Sequence, residues 1–181
     1  VVTQQAVVPH NVVVLFLAHD GVANPDAWER WRSFLPPVLA SRMFFCVYGP
    51  LRDVTARDAK FCRKYSINGG SVGRSEWCDA SITRETLKAY KGVLNMLKDT
   101  GRGDERTMVF LVSGYDLPVK PARLMWLWTE FKRYRDVIPD GRQWIVLTIE
   151  TVSRLVDEMP TSEHLARVVC NKWYARSEDM C

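Results

Sequence analysis

The chain has 181 residues, of which 47% are hydrophobic, 25% charged and 11% aromatic, the balance of a folded globule. This composition excludes collagen-like, low-complexity and strongly disordered classes, and the length argues for one domain over residues 1–181. Twenty-five Lys and Arg against 21 Asp and Glu leave a net charge of +4. The basic residues alternate with acids, as in GRGDER (101–106) and FKRYRD (131–136), rather than gathering in a patch. No nucleic-acid partner is therefore expected, while an anionic small ligand stays open.

A domain of this length buries roughly two-thirds of its unfolded surface and needs no disulfide or metal staple. Five cysteines, Cys46, Cys62, Cys78, Cys170 and Cys181, form no CxxC pair. Cys46 and Cys170 lie in apolar runs and read as small buried hydrophobes, and one disulfide among the five stays open. His10, His19 and His164 are scattered away from any ligand-like spacing, so no zinc site is expected. The longest apolar run, VVVLFLA (12–18), is far below the roughly 20 residues that a bilayer requires, so no membrane segment is expected. With neither a signal peptide nor an initiator Met, the chain reads as a fragment or the ordered part of a longer protein.

In chain order, NVVVLFLAH (11–19) opens with an unbroken apolar run, β-branched at its start, and predicts a strand buried on both faces. The turn His19-Asp20-Gly21 follows, and Asn24 as N-cap with Pro25 at the first position starts a helix. Ala27, Trp28, Trp31, Phe34 and Leu35 recur at helical spacing up to the stop at Pro36-Pro37. A second buried strand is MFFCVYG (43–49). Strand, helix and strand with short links make a βαβ unit, whose parallel sheet places a ligand crevice at the strands' carboxyl ends. Residues 50–75, rich in Gly, Ser and Arg, read as a mobile loop; GGSVGR (69–74) lacks the ending of a phosphate-binding P-loop.

Ser81 or Thr83 caps a long helix from about Arg84 to Leu97, with an apolar stripe of Leu87, Tyr90, Val93, Leu94 and Leu97. TMVFLVSG (107–114) is a third buried strand, closed by the tight turn SGYDLPVKP (113–121). A helix over 121–136, a strand QWIVLT (143–148), a helix over 149–159 and a last helix from Thr161 or Ser162 to about Lys172 complete an α/β pattern.

Three polar groups sit where strands or helices end. His19-Asp20-Gly21 reads either as a nucleotide-binding edge or as an ordinary turn. Asp116 either holds its own loop through a side-chain turn or meets substrate. Glu163 falls in the first turn of a helix, where the dipole favours an acid in any case. It has no partner carboxylate nearby in sequence, so paired-carboxylate glycoside hydrolysis finds no support. GxGxxG, HExxH and Asp-x-Asp are all absent. Most of the seven tryptophans sit at helix or strand spacing and read as core; Trp77, ahead of a helix, is the exception.

Taken together and in order, these segments resemble the core-2/I-branching β-1,6-N-acetylglucosaminyltransferase family, with its xylosyltransferase and plant, microbial and viral relatives. The first strand and His19 are similar to the family's opening strand. EWCDASITRETLKAYKGVL (76–94) resembles its Trp-containing stretch and long helix, and FLVSGYDLPVKP (110–121) its strand-turn with Asp and Pro. QWIVLTIETVSRLVD (143–157) is similar to its next strand and helix, and PTSEHLARVV (160–169) to the run that carries its catalytic base. The likeness covers residues 11–170.

The resemblance implies a GT-A-like, Rossmann-type domain with a mostly parallel central sheet flanked by helices. It implies an inverting, metal-independent glycosyltransferase that moves N-acetylglucosamine or xylose from a UDP-sugar to a glycan or glycoprotein hydroxyl. UDP-sugar serves as co-substrate and no further cofactor is implied. Glu163 becomes the general base. Asp116, Ser113, Gly114 and Trp77 fall on the substrate, with Trp77 towards the nucleotide side. His19 and Asp20 line the nucleotide, and Arg167, Lys172 and Arg176 are candidates to neutralise the diphosphate. The chain departs from the family in VYGP (47–50), which lacks an Asp after the second strand, and in its short stretch between 113–121 and 143–148. The alternative is a nucleotide- or glycan-binding α/β module that has lost transfer. Animal and plant relatives are Golgi type II membrane proteins, so a cut domain would belong to the Golgi lumen and a microbial or viral form to the cytoplasm.

Overall fold

The computed structural model describes residues 10–18, 21–50, 56–68, 80–103, 106–118 and 145–158. Its centre is a four-stranded sheet: β1 (Val12–Leu17), β2 (Met43–Tyr48), β3 (Met108–Ser113) and β4 (Ile145–Thr148), in the order β2-β1-β3-β4. β1 pairs in parallel with both β2 and β3, and β4 runs antiparallel to β3. The architecture is a mixed α/β fold with a mostly parallel sheet flanked by helices, as the apolar runs predict.

Every residue from Val12 to Phe16 is fully buried, because β1 is covered on both faces. On one face Val12, Val14 and Phe16 pack with Trp28 and Trp31 of α1 (Pro25–Ser33) and Phe61 and Cys62 of α3 (Ala56–Tyr65). Aromatic edges tile this layer: Trp28 meets Phe16 at 4.9 Å and Trp31 at 5.5 Å, both near perpendicular. On the other face Val13 and Leu15 pack with Ala89, Tyr90, Val93 and Leu97 of α4 (Ala80–Asp99) and Val152 of α5 (Ile149–Glu158). The side chains alternate across β1 with the period of two that a strand imposes, so each face feeds its own core.

Three local expectations are corrected and one is extended. Residues 50–75 do not form one loop, since α3 occupies 56–65. Its sequence, ARDAKFCRKY, is rich in good helix formers and buries Ala59, Phe61 and Cys62; the Gly and Ser residues fall after it. Ser81 and Thr83 lie inside α4 rather than capping it, because the helix already includes Ala80. Asn24 stands at the start of α1 in the left-handed conformation (φ 54°, ψ 52°) and makes no side-chain cap. Pro36 and Pro37 both end α1 and start a single turn, α2 (Pro37–Ala40), because proline suits the first helical position. The expected helices over 121–136 and 161–172, and the segment GGSVGR, lie outside the described residues. Among the described residues no helix is long and apolar enough to cross a membrane.

Candidate functional site

Leu17 of β1 is level with Tyr48 of β2 and with Ser113 of β3, so three carboxyl ends finish at one height. From β1 the chain passes to β2 on one side and then crosses to β3 on the other, which makes the gap between the ends of β1 and β3 the topological switch point of the sheet. In open α/β sheets that is where ligands bind.

Small residues let the backbone converge there. A Cβ on Gly49 would lie 1.9 Å from the Ala18 carbonyl oxygen, and one on Gly114 would lie 2.3 Å from that of Gly21. Gly21 takes φ 103°, open only to glycine at low cost. Main-chain bonds then tie the strand ends together. Ala18 N–H donates to the Tyr48 carbonyl (3.0 Å), Gly114 N–H to that of Leu17 (3.0 Å), and Ala23 N–H to that of Gly114 (2.7 Å).

The turn after β3 brings together Ser113, Gly114 and Asp116. Ser113 N–H donates to Asp116 Oδ2 at 2.5 Å, Asp116 N–H donates to the Ser113 carbonyl at 3.2 Å, and Tyr115 N–H donates to Ser113 Oγ at 3.3 Å. The indole Nε1 of Trp28 donates to the Asp116 carbonyl at 3.1 Å. Burial raises the Asp116 carboxyl above its ordinary value, against the opposing pull of the Ser113 amide. Of the two readings of Asp116, the geometry carries the loop-holding one: its carboxylate is turned onto its own turn. Tyr115 and Leu117, by contrast, are 64% and 46% exposed.

A second polar group lies at the end of β2. Tyr48 O–H donates to Glu85 Oε2 at 2.7 Å, and Lys88 Nζ reaches Glu85 Oε1 at 2.6 Å. Glu85 is buried and ties α4 to the last residue of β2. Burial first, and then the neighbouring Glu85, push the Tyr48 hydroxyl well above the ordinary tyrosine range. Sequence reasoning passed over this residue, although a signal was present: Glu85 shares the four-residue register of Ala89, Val93 and Leu97, the buried stripe of α4. An acid on that stripe requires a polar partner.

His19, Asp20, Trp77, Glu163, Arg167, Lys172 and Arg176 lie outside the described residues. Among the described residues no three His, Cys, Asp or Glu side chains group as metal ligands. The described residues at the three strand ends, 17–18, 21–24, 48–50 and 113–118, carry one charged side chain, Asp116. In comparisons with known proteins, no family model, no curated protein and no solved structure matches the chain.

Proposed function

We propose that the chain is an inverting glycosyltransferase with a GT-A-like fold, using a UDP-sugar donor of the N-acetylglucosamine or xylose class and a glycan or glycoprotein acceptor. The observation that carries this reading is the position of the SGYDLP turn (113–118) at the switch point between β1 and β3. Two of the segments that resemble the core-2/I-branching family thus border the crevice where an α/β sheet takes its ligand. The resemblance suggests the chemistry, and the crevice at the strand ends supports the reading.

In this reading Glu163 accepts the proton of an acceptor hydroxyl as that oxygen attacks the anomeric carbon, on the face opposite the leaving diphosphate. Inversion of an α-linked donor gives a β-glycoside. With no Asp-x-Asp in the chain, Arg167, Lys172 and Arg176 are the groups assigned to the diphosphate charge. Asp116 shapes the pocket by holding the turn, and Ser113 and Gly114 supply its wall. His19, Asp20 and Trp77 line the nucleotide side.

The experiment is thermal unfolding against a panel of nucleotides and nucleotide sugars, each with EDTA and with Mn²⁺, followed by transfer assays on Glu163→Gln. A ligand at 100 times its Kd adds about 2.7 kcal/mol, which for a domain of this size is roughly 5–10 °C. A shift with a UDP-sugar that survives EDTA, and a transfer rate about 10²–10⁴ lower in Glu163→Gln, are the expected results. Transfer at the original rate in Glu163→Gln refutes the mechanism. A second reading, favoured by the departures in VYGP (47–50) and in the short stretch between 113–121 and 143–148, is a binding module without turnover. That reading predicts ligand-induced shifts with no transfer at all.

A further inference from the structure

Basic residues alternate with acids along the chain, yet the fold gathers three of them at one edge of the sheet. Arg32 of α1, Lys64 of α3 and Arg102, just past α4, line a groove of about 470 Å³ that also borders Met43, Phe44 and Phe45 of β2. Phe44 and Phe45 serve opposite cores, as neighbours on a strand must. Each ring carries a guanidinium: Arg32 lies 5.0 Å from the centre of Phe45 and Arg102 5.1 Å from that of Phe44. The cations therefore flank the edge of β2 from both faces.

The same edge offers main-chain groups. Val12 N–H donates to the Arg42 carbonyl (2.9 Å) and Ala18 N–H to that of Tyr48 (3.0 Å), so the even-numbered residues over 42–48 face β1. The odd-numbered ones face the other way. Val47 demonstrates this: its carbonyl accepts from Ile67 N–H at 3.1 Å, and Ser66 bridges to it in parallel. Met43 and Phe45 share that outward direction and border the groove. Their side chains are buried in the first core, so main chain is what they offer there.

Charge decides the occupant. Cations along a strand edge keep two copies of that edge apart and attract an acidic strand. Glu29 lies 2.9 Å from both Arg32 and Lys64. The bonds of Arg32 to Glu29 and to the Tyr65 hydroxyl both leave from Nη2, one corner of a fork with five N–H donors. Arg102 stands on the other face of the strand. An extended chain beside β2 turns successive side chains to opposite faces. Two consecutive acids would then meet Arg32 and Lys64 on one side and Arg102 on the other.

We propose that the outer edge of β2 at 43–45 docks an extended acidic peptide of a partner protein, added to the sheet as a further strand. This is independent of the transferase reading, because the groove borders the first half of β2 and the crevice lies at the carboxyl ends.

The probe is the capped, fluorescein-labelled hexapeptide TVEEVT, titrated against the full chain by anisotropy. Its affinity should fall with added salt, and at least tenfold when its two acids become lysines. Arg102→Glu changes an exposed side chain and keeps the main-chain carbonyl that Asn11 Nδ2 bonds. That variant should unfold within about 2 °C of the parent and bind the peptide at least tenfold more weakly. Two further measurements need no variant. Methylating one alternate set of peptide amides should abolish binding, while methylating the other set should leave it within threefold. In saturating peptide, amide exchange at Met43 and Phe45 should slow at least tenfold, with Phe44 and Cys46, which face β1, unchanged. Equal loss from both methylated sets, or unchanged exchange at Met43 and Phe45, overturns the added strand. Equal binding by the lysine peptide, or no binding of TVEEVT, overturns the proposal as well. A dimer in sedimentation that protects Met43 and Phe45 without peptide gives the edge to a second copy and overturns it too.

Discussion

The indole Nε1 of Trp28 donates a hydrogen bond to the main-chain carbonyl of Asp116, 3.1 Å away and 88 residues along the chain. Trp28 is at once a core residue, 2% exposed and edge-on to Phe16, and the anchor of the turn after β3. The two roles separate by substitution. Trp28→Phe keeps an aromatic ring in the layer but removes the donor, and should cost about 1–3 kcal/mol in chemical denaturation through the orphaned carbonyl and lost volume. Trp28→Ala should cost about 3–5 kcal/mol. Amide exchange at Tyr115 and Asp116 should rise in Trp28→Phe well beyond the rise at Val13 and Leu15; a uniform rise would mean that the indole N–H does not hold the turn.

Gly49 and Gly114 make a sharper prediction, because their constraint is steric. An added methyl at either position would meet a carbonyl oxygen, that of Ala18 at 1.9 Å or that of Gly21 at 2.3 Å, and both obstacles are backbone rather than a movable side-chain tip. Gly114→Ala and Gly49→Ala should each destabilise by about 1–3 kcal/mol or more, as overpacking does. Gly101→Ala is the control, since nothing lies within 4 Å of its would-be Cβ and its cost is confined to φ +63°. Urea midpoints for the three variants compare them directly. An unperturbed Gly114→Ala would show that the ends of β1 and β3 do not approach as described.

Much of this was legible before the fold was known. β1, β2 and β3 announce themselves as unbroken apolar runs because both faces of the sheet are covered, and the stripe of α4 because one side faces that sheet. The helix α3 was hidden by its neighbours: Gly and Ser after residue 65 coloured a window whose first half is helix-forming. The antiparallel direction of β4 was not legible, since a strand's own residues say little about which way the chain enters it. Of the site, SGYDLP was legible as a turn at a strand end. That Asp116 bonds back to Ser113, and that Tyr48 meets Glu85 across 37 residues, depends on partners that no local spacing reveals.

Asp116 carries a pH prediction whose sign follows from burial. Its carboxyl is raised in the folded protein, so the folded state holds the proton more tightly than the unfolded chain does. The ionised form therefore detracts from stability at neutral pH, and stability gains as pH falls through the raised folded value towards the ordinary carboxylate one. Asp116→Asn keeps an oxygen for the Ser113 N–H and removes the buried charge. Its stability at pH 7 should lie within about 1 kcal/mol of the parent, and this contribution to the pH dependence should vanish. Asp116→Ala strands the Ser113 N–H and should cost about 1–3 kcal/mol. If Asp116→Asn matches Asp116→Ala instead, the charge rather than the hydrogen bond holds the turn.

The thiol of Cys46 tests the other face of the sheet. Cys46 points into the layer beneath α4, beside Ala89 and Val93, and burial pushes its thiol up to about 12. At pH 8 the thiolate, which is the reactive form, is then roughly one part in 10⁴. Iodoacetamide at pH 8 should therefore leave Cys46 unmodified in the folded protein, and labelling read by peptide mass spectrometry should track global unfolding across a urea series. The same shift has a consequence for stability. The unfolded chain loses this proton near the ordinary thiol value while the folded state retains it, so stability falls as pH rises from there towards 12. Cys46→Ala should lessen that alkaline loss while lowering stability at pH 7 through the lost packing. Labelling of Cys46 in native buffer at the rate of an exposed thiol would mean that α4 lifts from the sheet without global unfolding, a local opening that the packing of Ala89, Val93 and Leu97 argues against.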